Sequence, residues 1–132
     1  MTSAQWLEAA IERAGAIAGS IHRHADALLV LDAAVGLPPS VLEAVRTVPS
    51  GKGMAGLAWE RGCPVQTCNL QTDATGDVRP GARAVDARAA VALPIYDGAG
   101  ALRAVVGFAF VDDRTLDPET LEALSQLAST LP

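Results

Sequence analysis

Four groups of residues in this 132-residue chain have the types and spacings that chemistry uses. The first is Gly51-Lys52-Gly53-Met54-Ala55-Gly56, with the G-x-G-x-x-G spacing that seats a pyrophosphate on a helix N-terminus. Asp73 follows about twenty residues on, where a ribose-binding acid would stand. That chemistry needs a buried strand before the glycines and a full crossover helix after them, leading to a parallel strand. Pro49 precedes the motif and has no N–H for a sheet ladder. Only Met54 to Arg61 follows as helix before Gly62-Cys63-Pro64 stops it, which is too short for a crossover. A P-loop is excluded as well, because Lys52 is followed by Gly53 rather than Ser or Thr. The motif reads as a loop that starts a short helix.

The second group is His22 and His24, two apart on a strand and sharing a face with Ser20. That spacing suits metal ligation, but no third ligand accompanies it, and a solvated strand end is the reading adopted. The third is Cys63 and Cys68. They do not form C-x-x-C, and along a strand their Cα atoms stand ~16 Å apart, whereas a disulfide needs less than about 7 Å. Two reduced, mostly buried thiols are expected. The fourth is the charged set Asp73, Asp77, Arg79, Arg83, Asp86 and Arg88, in which a convergent guanidinium would suit a carboxylate or phosphate.

The elements that must position these groups follow from periodicity. Ser3 to Arg13 is predicted as a helix capped by Ser3, with Trp6, Leu7, Ala10 and Ile11 on one face. Ala16 to Arg23 and Ala27 to Ala34 are predicted as strands joined at His24-Ala25-Asp26. A helical turn over Val41 to Val45, the helix Met54 to Arg61 and a strand Val65 to Cys68 come next. Asn69 to Asp86 is a long loop with one helical turn after Pro80, and loops of that length are functional or mobile. Arg88 to Tyr96 and Leu102 to Val111 form a hairpin through Asp97-Gly98-Ala99-Gly100 and are apolar on both faces, so the sheet is covered on both sides. Asp117-Pro118-Glu119 starts a final helix to Leu131, with Leu121, Leu124, Leu127, Ala128 and Leu131 in one stripe.

Composition narrows the function. Half the residues are hydrophobic and no linker divides the chain, so a single domain spans 1–132. The net charge is −5, and nine Arg and a single Lys are scattered, which disfavours nucleic acid as a partner. No apolar run reaches the ~20 residues that span a bilayer, and the N-terminus has no basic region of a signal peptide. A cytoplasmic location is expected by default.

The element order, with "VPSGKGMAGLAWERGCPV", "NLQTD", "ARAAVALPIYDGAGALRAVVGFAF" and "LDPETLEALSQLA", resembles a GAF domain over nearly the whole chain. The resemblance implies an α+β, profilin-like fold. A central antiparallel sheet carries both terminal helices on one face and a pocket under the middle segment on the other. The cyclic-nucleotide signature of the family is absent, since Lys52 is the only lysine and no Asn precedes it. The usual bilin attachment is absent too, because no cysteine follows Cys68. Free methionine-R-sulfoxide reductases of this family place thiols at positions matching the neighbourhood of Val45, Ala55 and Arg83 to Val85, and none of these is a cysteine here. The chemistry needs an attacking thiolate and a resolving thiol.

The expectation is therefore a non-enzymatic sensing or signalling module with no catalytic residue, metal or cofactor. The alternative is a ligand-free interaction scaffold, and a reductase-like redox enzyme stands behind both. Any ligand is expected under the 69–86 loop, against Trp59, Arg83, Asp86 and Arg88. The signal would leave through a partner protein. A homodimer is expected through the helices Ser3–Arg13 and Asp117–Leu131, on the reasoning that one chain does not fully cover Trp6, Leu124 and Leu131.

Overall fold

The computed structural model describes all 132 residues. Helix α1 (Ser3–Ala14) leads into strands β1 (Ala18–Ala25) and β2 (Leu28–Val35). Helix α2 (Pro39–Ala44), strand β3 (Thr47–Pro49), helix α3 (Gly53–Arg61) and strand β4 (Val65–Thr67) form the middle. A 3-10 turn (Pro80–Ala84) precedes strands β5 (Ala90–Tyr96) and β6 (Leu102–Ala109), and helix α4 (Pro118–Ala128) closes the chain. The sheet order is β3-β2-β1-β6-β5-β4, and every neighbouring pair is antiparallel. Two hairpins thus meet along β1 and β6, and the short strands β3 and β4 take the edges.

Local chemistry sets the element ends, with small departures from the sequence reading. The cap of α1 is Thr2 rather than Ser3. Its side chain accepts from the Gln5 amide while Gln5 reaches back to the Thr2 amide, a reciprocal capping box. The β1–β2 turn sits one residue later than expected, at Asp26-Ala27, with Asp26 in the left-handed region at φ 56°. Asp97 holds the β5–β6 turn by accepting from the amides of Ala99 and Ala101. Asp117 caps α4 by accepting from Thr120 N at 2.8 Å, with Pro118 at the first helical position. Pro49, read as unfit for a ladder, ends β3 after all. The strand is a three-residue edge, where a missing donor costs little.

Helices α1 and α4 cover one face of the sheet. Leu7, Ile21, Leu93, Val106 and Phe108 are at or near zero exposure in this layer. Each buried leucine contributes roughly 1.5–3 kcal/mol. The indole Nε1 of Trp6 donates to Thr130 Oγ1 at 3.0 Å, which ties α1 to the end of the chain. Trp6, Leu124 and Leu131, expected to lie partly bare in one chain, are 6 %, 6 % and 4 % exposed. Leu124, Ala128 and Leu131 of the α4 stripe are buried within one chain, whereas Leu121 and Leu127 are half-buried, so the three residues on which the dimer expectation rested do not supply it.

The two faces of the central strands differ in side-chain size. Val91, Leu93 and Ile95 of β5, with Val106, Phe108 and the following Phe110, face the helices. Ala90, Ala92 and Ala109 join the clusters of the opposite face, and Gly107 pairs with Ser20 there. Leu102 leaves this alternation and packs with the second face, next to the register irregularity at Ile95 and Tyr96. Large residues make a dense layer under the helices, and small ones leave room on the other side. No helix of the chain is long and apolar enough to cross a membrane.

Candidate functional site: a cavity between the sheet and the middle segment

The room left by the small residues is a cavity of about 370 Å³. Its floor comes from Ser20 and His22 of β1, Ala90 and Ala92 of β5, and Val105, Gly107 and Ala109 of β6. Its roof comes from Val41 and Val45 at α2, Met54 and Ala55 of α3, and Leu70, Val78 and Val85 of the long segment. Most of the lining is apolar. Ligand cavities run from roughly 300 to 1,000 Å³, so this one suits a small molecule.

The long segment is pinned rather than draped. Gln71 Nε2 donates to the carbonyls of Val85 and Ala87 at 2.9 and 3.1 Å, closing the loop on itself. Asn69 Nδ2 donates to the Asp113 carboxylate at 3.1 Å. Asp73 accepts from the hydroxyls of Thr67 and Thr75, and these bonds, Thr67 first, hold its carboxyl below the usual aspartate range. Arg61 pairs with Asp77 through two bonds of 3.0 and 3.2 Å, fastening the segment to α3.

His22 is the buried polar group of the floor, at 4 % exposure, which corrects the expectation of a solvated strand end. Its Nε2 lies 2.8 Å from the carbonyl oxygen of Val45. A carbonyl only accepts, so Nε2 carries the proton and Nδ1 is left with a lone pair. No protein group donates to Nδ1, although it is buried. Burial lowers the pKa below the ordinary 6.5, and the bond to Val45 opposes that only in part. The ring is a neutral acceptor that lacks a donor. His24, by contrast, is exposed and meets the Trp59 ring edge-on at 5.0 Å. No group of three His, Cys, Asp or Glu side chains gathers anywhere in the chain.

The glycine motif builds the mouth. Gly51 and Gly53 have φ of 82° and 64°, which L side chains rarely adopt. A β-carbon on Gly56 would stand 2.5 Å from the Pro49 carbonyl oxygen, so only glycine lets α3 close on β3. The first helical bond runs from the Gly56 amide to the Lys52 carbonyl at 3.1 Å. The amides of Gly53, Met54 and Ala55 thus have no helical acceptor, and no side chain caps them. Lys52 and Arg79 are the charged residues of the lining, and neither forms an ion pair.

The residues singled out from the sequence fall elsewhere. Trp59 packs against the cluster of Leu29, Val48 and Ala58, with its ring against His24. Arg83 is exposed and donates to the Asp73 carbonyl at 3.2 Å. Asp86 and Arg88 are exposed. None of the four lines the cavity, whereas Arg79 of the same charged set does. Cys63 and Cys68 are both free, but they are exposed rather than buried, because β4 between them is a three-residue edge strand. Neither lines the cavity. His22 and the small floor residues were the ones missed.

This arrangement of a two-hairpin sheet, terminal helices on one face and a roofed cavity on the other has a counterpart among known families. A family model described as GAF domain matches residues 3–131. The chain belongs to the GAF domain family. No curated protein matches its sequence. Among solved structures, the GAF domain of an Acinetobacter phosphoenolpyruvate-protein phosphotransferase is similar with a TM-score of 0.75 and 16% identity, covering 99% of this chain and 80% of that one. The GAF domain of a two-component sensor histidine kinase from Bacillus halodurans gives 0.74 and 16%, covering 96% and 88%. A free methionine-R-sulfoxide reductase from Neisseria meningitidis, in complex with its substrate, gives 0.70 and 19%, covering 96% and 75%. At these identities the likeness shows the fold alone. In this GAF domain Val45, Ala55 and Val85, among the positions matched to the reductase thiols, all line the cavity, and none is a cysteine.

Proposed function

We propose that this GAF domain is a non-enzymatic binding module that holds a small molecule in the cavity and passes the signal on by protein contact. The observation that carries the reading is the cavity itself. A scaffold that binds nothing gains from filling its interior, because packing to full density is the stable state. Here the sheet instead presents Ser, Ala and Gly to a space of about 370 Å³, and the buried imidazole beside it has an unused acceptor. The scaffold alternative is favoured by a cavity packed with side chains, and this one is open. Thiol chemistry on a bound sulfoxide is disfavoured by the placing of Cys63 and Cys68 outside the lining.

The test is occupancy with and without space. Ala92→Leu extends a floor side chain into the cavity while staying apolar. Native mass spectrometry and thermal shift across a small-molecule library are expected to give at least one stabilising ligand for the parent protein. The same ligand loses about ten-fold or more in affinity on Ala92→Leu, equivalent to at least ~1.4 kcal/mol. A ligand that binds both proteins equally overturns the cavity as its site.

A further inference from the structure

We infer that the cavity selects an uncharged, mainly apolar small molecule whose single hydrogen-bonding group meets the hydroxyl of Ser20 at the centre of the floor. This deepens the reading of the cavity as a ligand site and rests on it.

The floor is bare at one point. Of the first five residues of β1, four are buried and Ser20 is half-buried. Its partner across the two central strands is Gly107, itself half-buried between the buried Val106 and Phe108. Both line the cavity, so the space over them is the cavity itself. A β-carbon on Gly107 would stand 3.0 Å from Ser20 Oγ, and its absence leaves that side of the hydroxyl uncovered.

That hydroxyl is also unused. Further along β1, His22 bonds to Val45, and Arg23 bonds to Asp32, Ser3 and Pro132. Ser20 Oγ bonds to no protein group, yet it is not sealed. His22 Nδ1 is the one fully buried side-chain atom without a partner, so Ser20 Oγ keeps accessible surface that an occupant of the cavity can reach. A hydroxyl both donates and accepts, so a ligand hydroxyl or carbonyl suits it equally.

The surroundings decide the charge of the ligand. Val45, Met54, Leu70, Val78 and Val105 enclose the space over Ser20, and no Asp or Glu lines it. An ion lowered onto the floor exchanges its water for one hydroxyl and hydrocarbon, a costly transfer. An ion turned outward meets Lys52 and Arg79, but both are exposed, where pairing contributes little and salt screens it. A neutral molecule meets neither penalty. A dry cavity of about 150 Å³ holds benzene. The volume here, about 370 Å³, takes a body up to roughly twice that size. Met54, half-buried in the roof, has the flexible side chain that adapts to its shape.

Two probe series test this by backbone-amide NMR titration at low salt. One is 2-naphthol with naphthalene and 2-naphthoate. The other is cyclohexylmethanol with methylcyclohexane and cyclohexanecarboxylate. In at least one series the hydroxyl compound is expected to bind about ten-fold more tightly than the acid. It is expected to bind several-fold more tightly than the hydrocarbon, the scale of a neutral hydrogen bond exchanged for one to water. Ser20→Ala removes an oxygen that bonds to nothing in the protein, so the fold stays, as circular dichroism checks. The variant should bind the hydrocarbon as the parent does and lose the preference for the hydroxyl compound. An acid that binds as well as its hydroxyl partner overturns the uncharged class. A hydroxyl preference that is absent in the parent, or that survives Ser20→Ala, overturns the role of Ser20. No binding by any of the six probes overturns the ligand class, and the library comparison with Ala92→Leu then judges the cavity reading separately.

Discussion

His22 on the cavity floor donates from Nε2 to the carbonyl oxygen of Val45, 2.8 Å away at the end of α2. One bond thus joins the sheet to the roof and leaves Nδ1 as the unprotonated, buried nitrogen of the ring. Burial holds this ring's pKa below the 6.5 it has when unfolded. The unfolded chain therefore takes up a proton more readily than the folded one as pH falls through that value. Stability is expected to be full above pH 6.5 and to fall below it, by no more than about 1.4 kcal/mol per pH unit for this one group. Urea unfolding at pH 7.5 and 5.5, on the parent and on His22→Gln, checks it. The variant should lose part of the dependence over that window.

Gly53 and Gly56 are expected to be mechanically required whatever the cavity binds. Gly56→Ala places a β-carbon against the Pro49 carbonyl at 2.5 Å. It should cost about 1–3 kcal/mol as an overpacked contact. Gly53→Ala forces a left-handed φ of 64° on an L residue and should cost about 1–2 kcal/mol. Chemical denaturation of both variants measures this. Ala58→Gly, elsewhere in α3, gives the background effect of a helical glycine, about 1 kcal/mol.

Leu124→Asp is expected to unfold the protein rather than to split a dimer. Leu124 is 6 % exposed in a single chain and belongs to the main core. A buried, unpaired carboxylate there is comparable in cost to the whole stability of a domain this size. Circular dichroism should show lost structure, and sedimentation should show no folded monomer released.

Both cysteines are expected to react with a thiol reagent in the folded state, since both are exposed. The double variant Cys63→Ser/Cys68→Ser should keep its fold and its ligand affinity. Thioredoxin-coupled turnover of free methionine sulfoxide that disappears in this variant would contradict the non-enzymatic reading.

The element order, the antiparallel sheet and the family were legible from the sequence, because hydrophobic periodicity and turn residues act locally. The site was harder to read. Asp73, Asp77 and Arg83 looked like candidates because they are charged and clustered, but their partners are one another's loop and the neighbouring helix. Trp59 sits on α3 as expected, yet it stands one helical turn beyond Ala55, against His24 and past the cavity lining. The usable signal lay in side-chain volume. Ala90-Val91-Ala92-Leu93 and Val106-Gly107-Phe108-Ala109 alternate large and small with the period of a strand. Reading both faces simply as apolar hid the fact that one of them is hollow. His22 lies in the same alternation, and its burial depends on Val45, which is distant in sequence and brought close only by the fold.

The central claim is that a ligand sits on the sheet under α2, α3 and the 69–86 segment, and backbone-amide NMR during titration with a library hit tests it most directly. The account predicts the largest shifts at Gly53, Met54, Ala55 and Gly107, together with a change at the His22 ring, and their loss in Ala92→Leu. Shifts confined to Trp59, Asp86 and Arg88, or unchanged by Ala92→Leu, would contradict it.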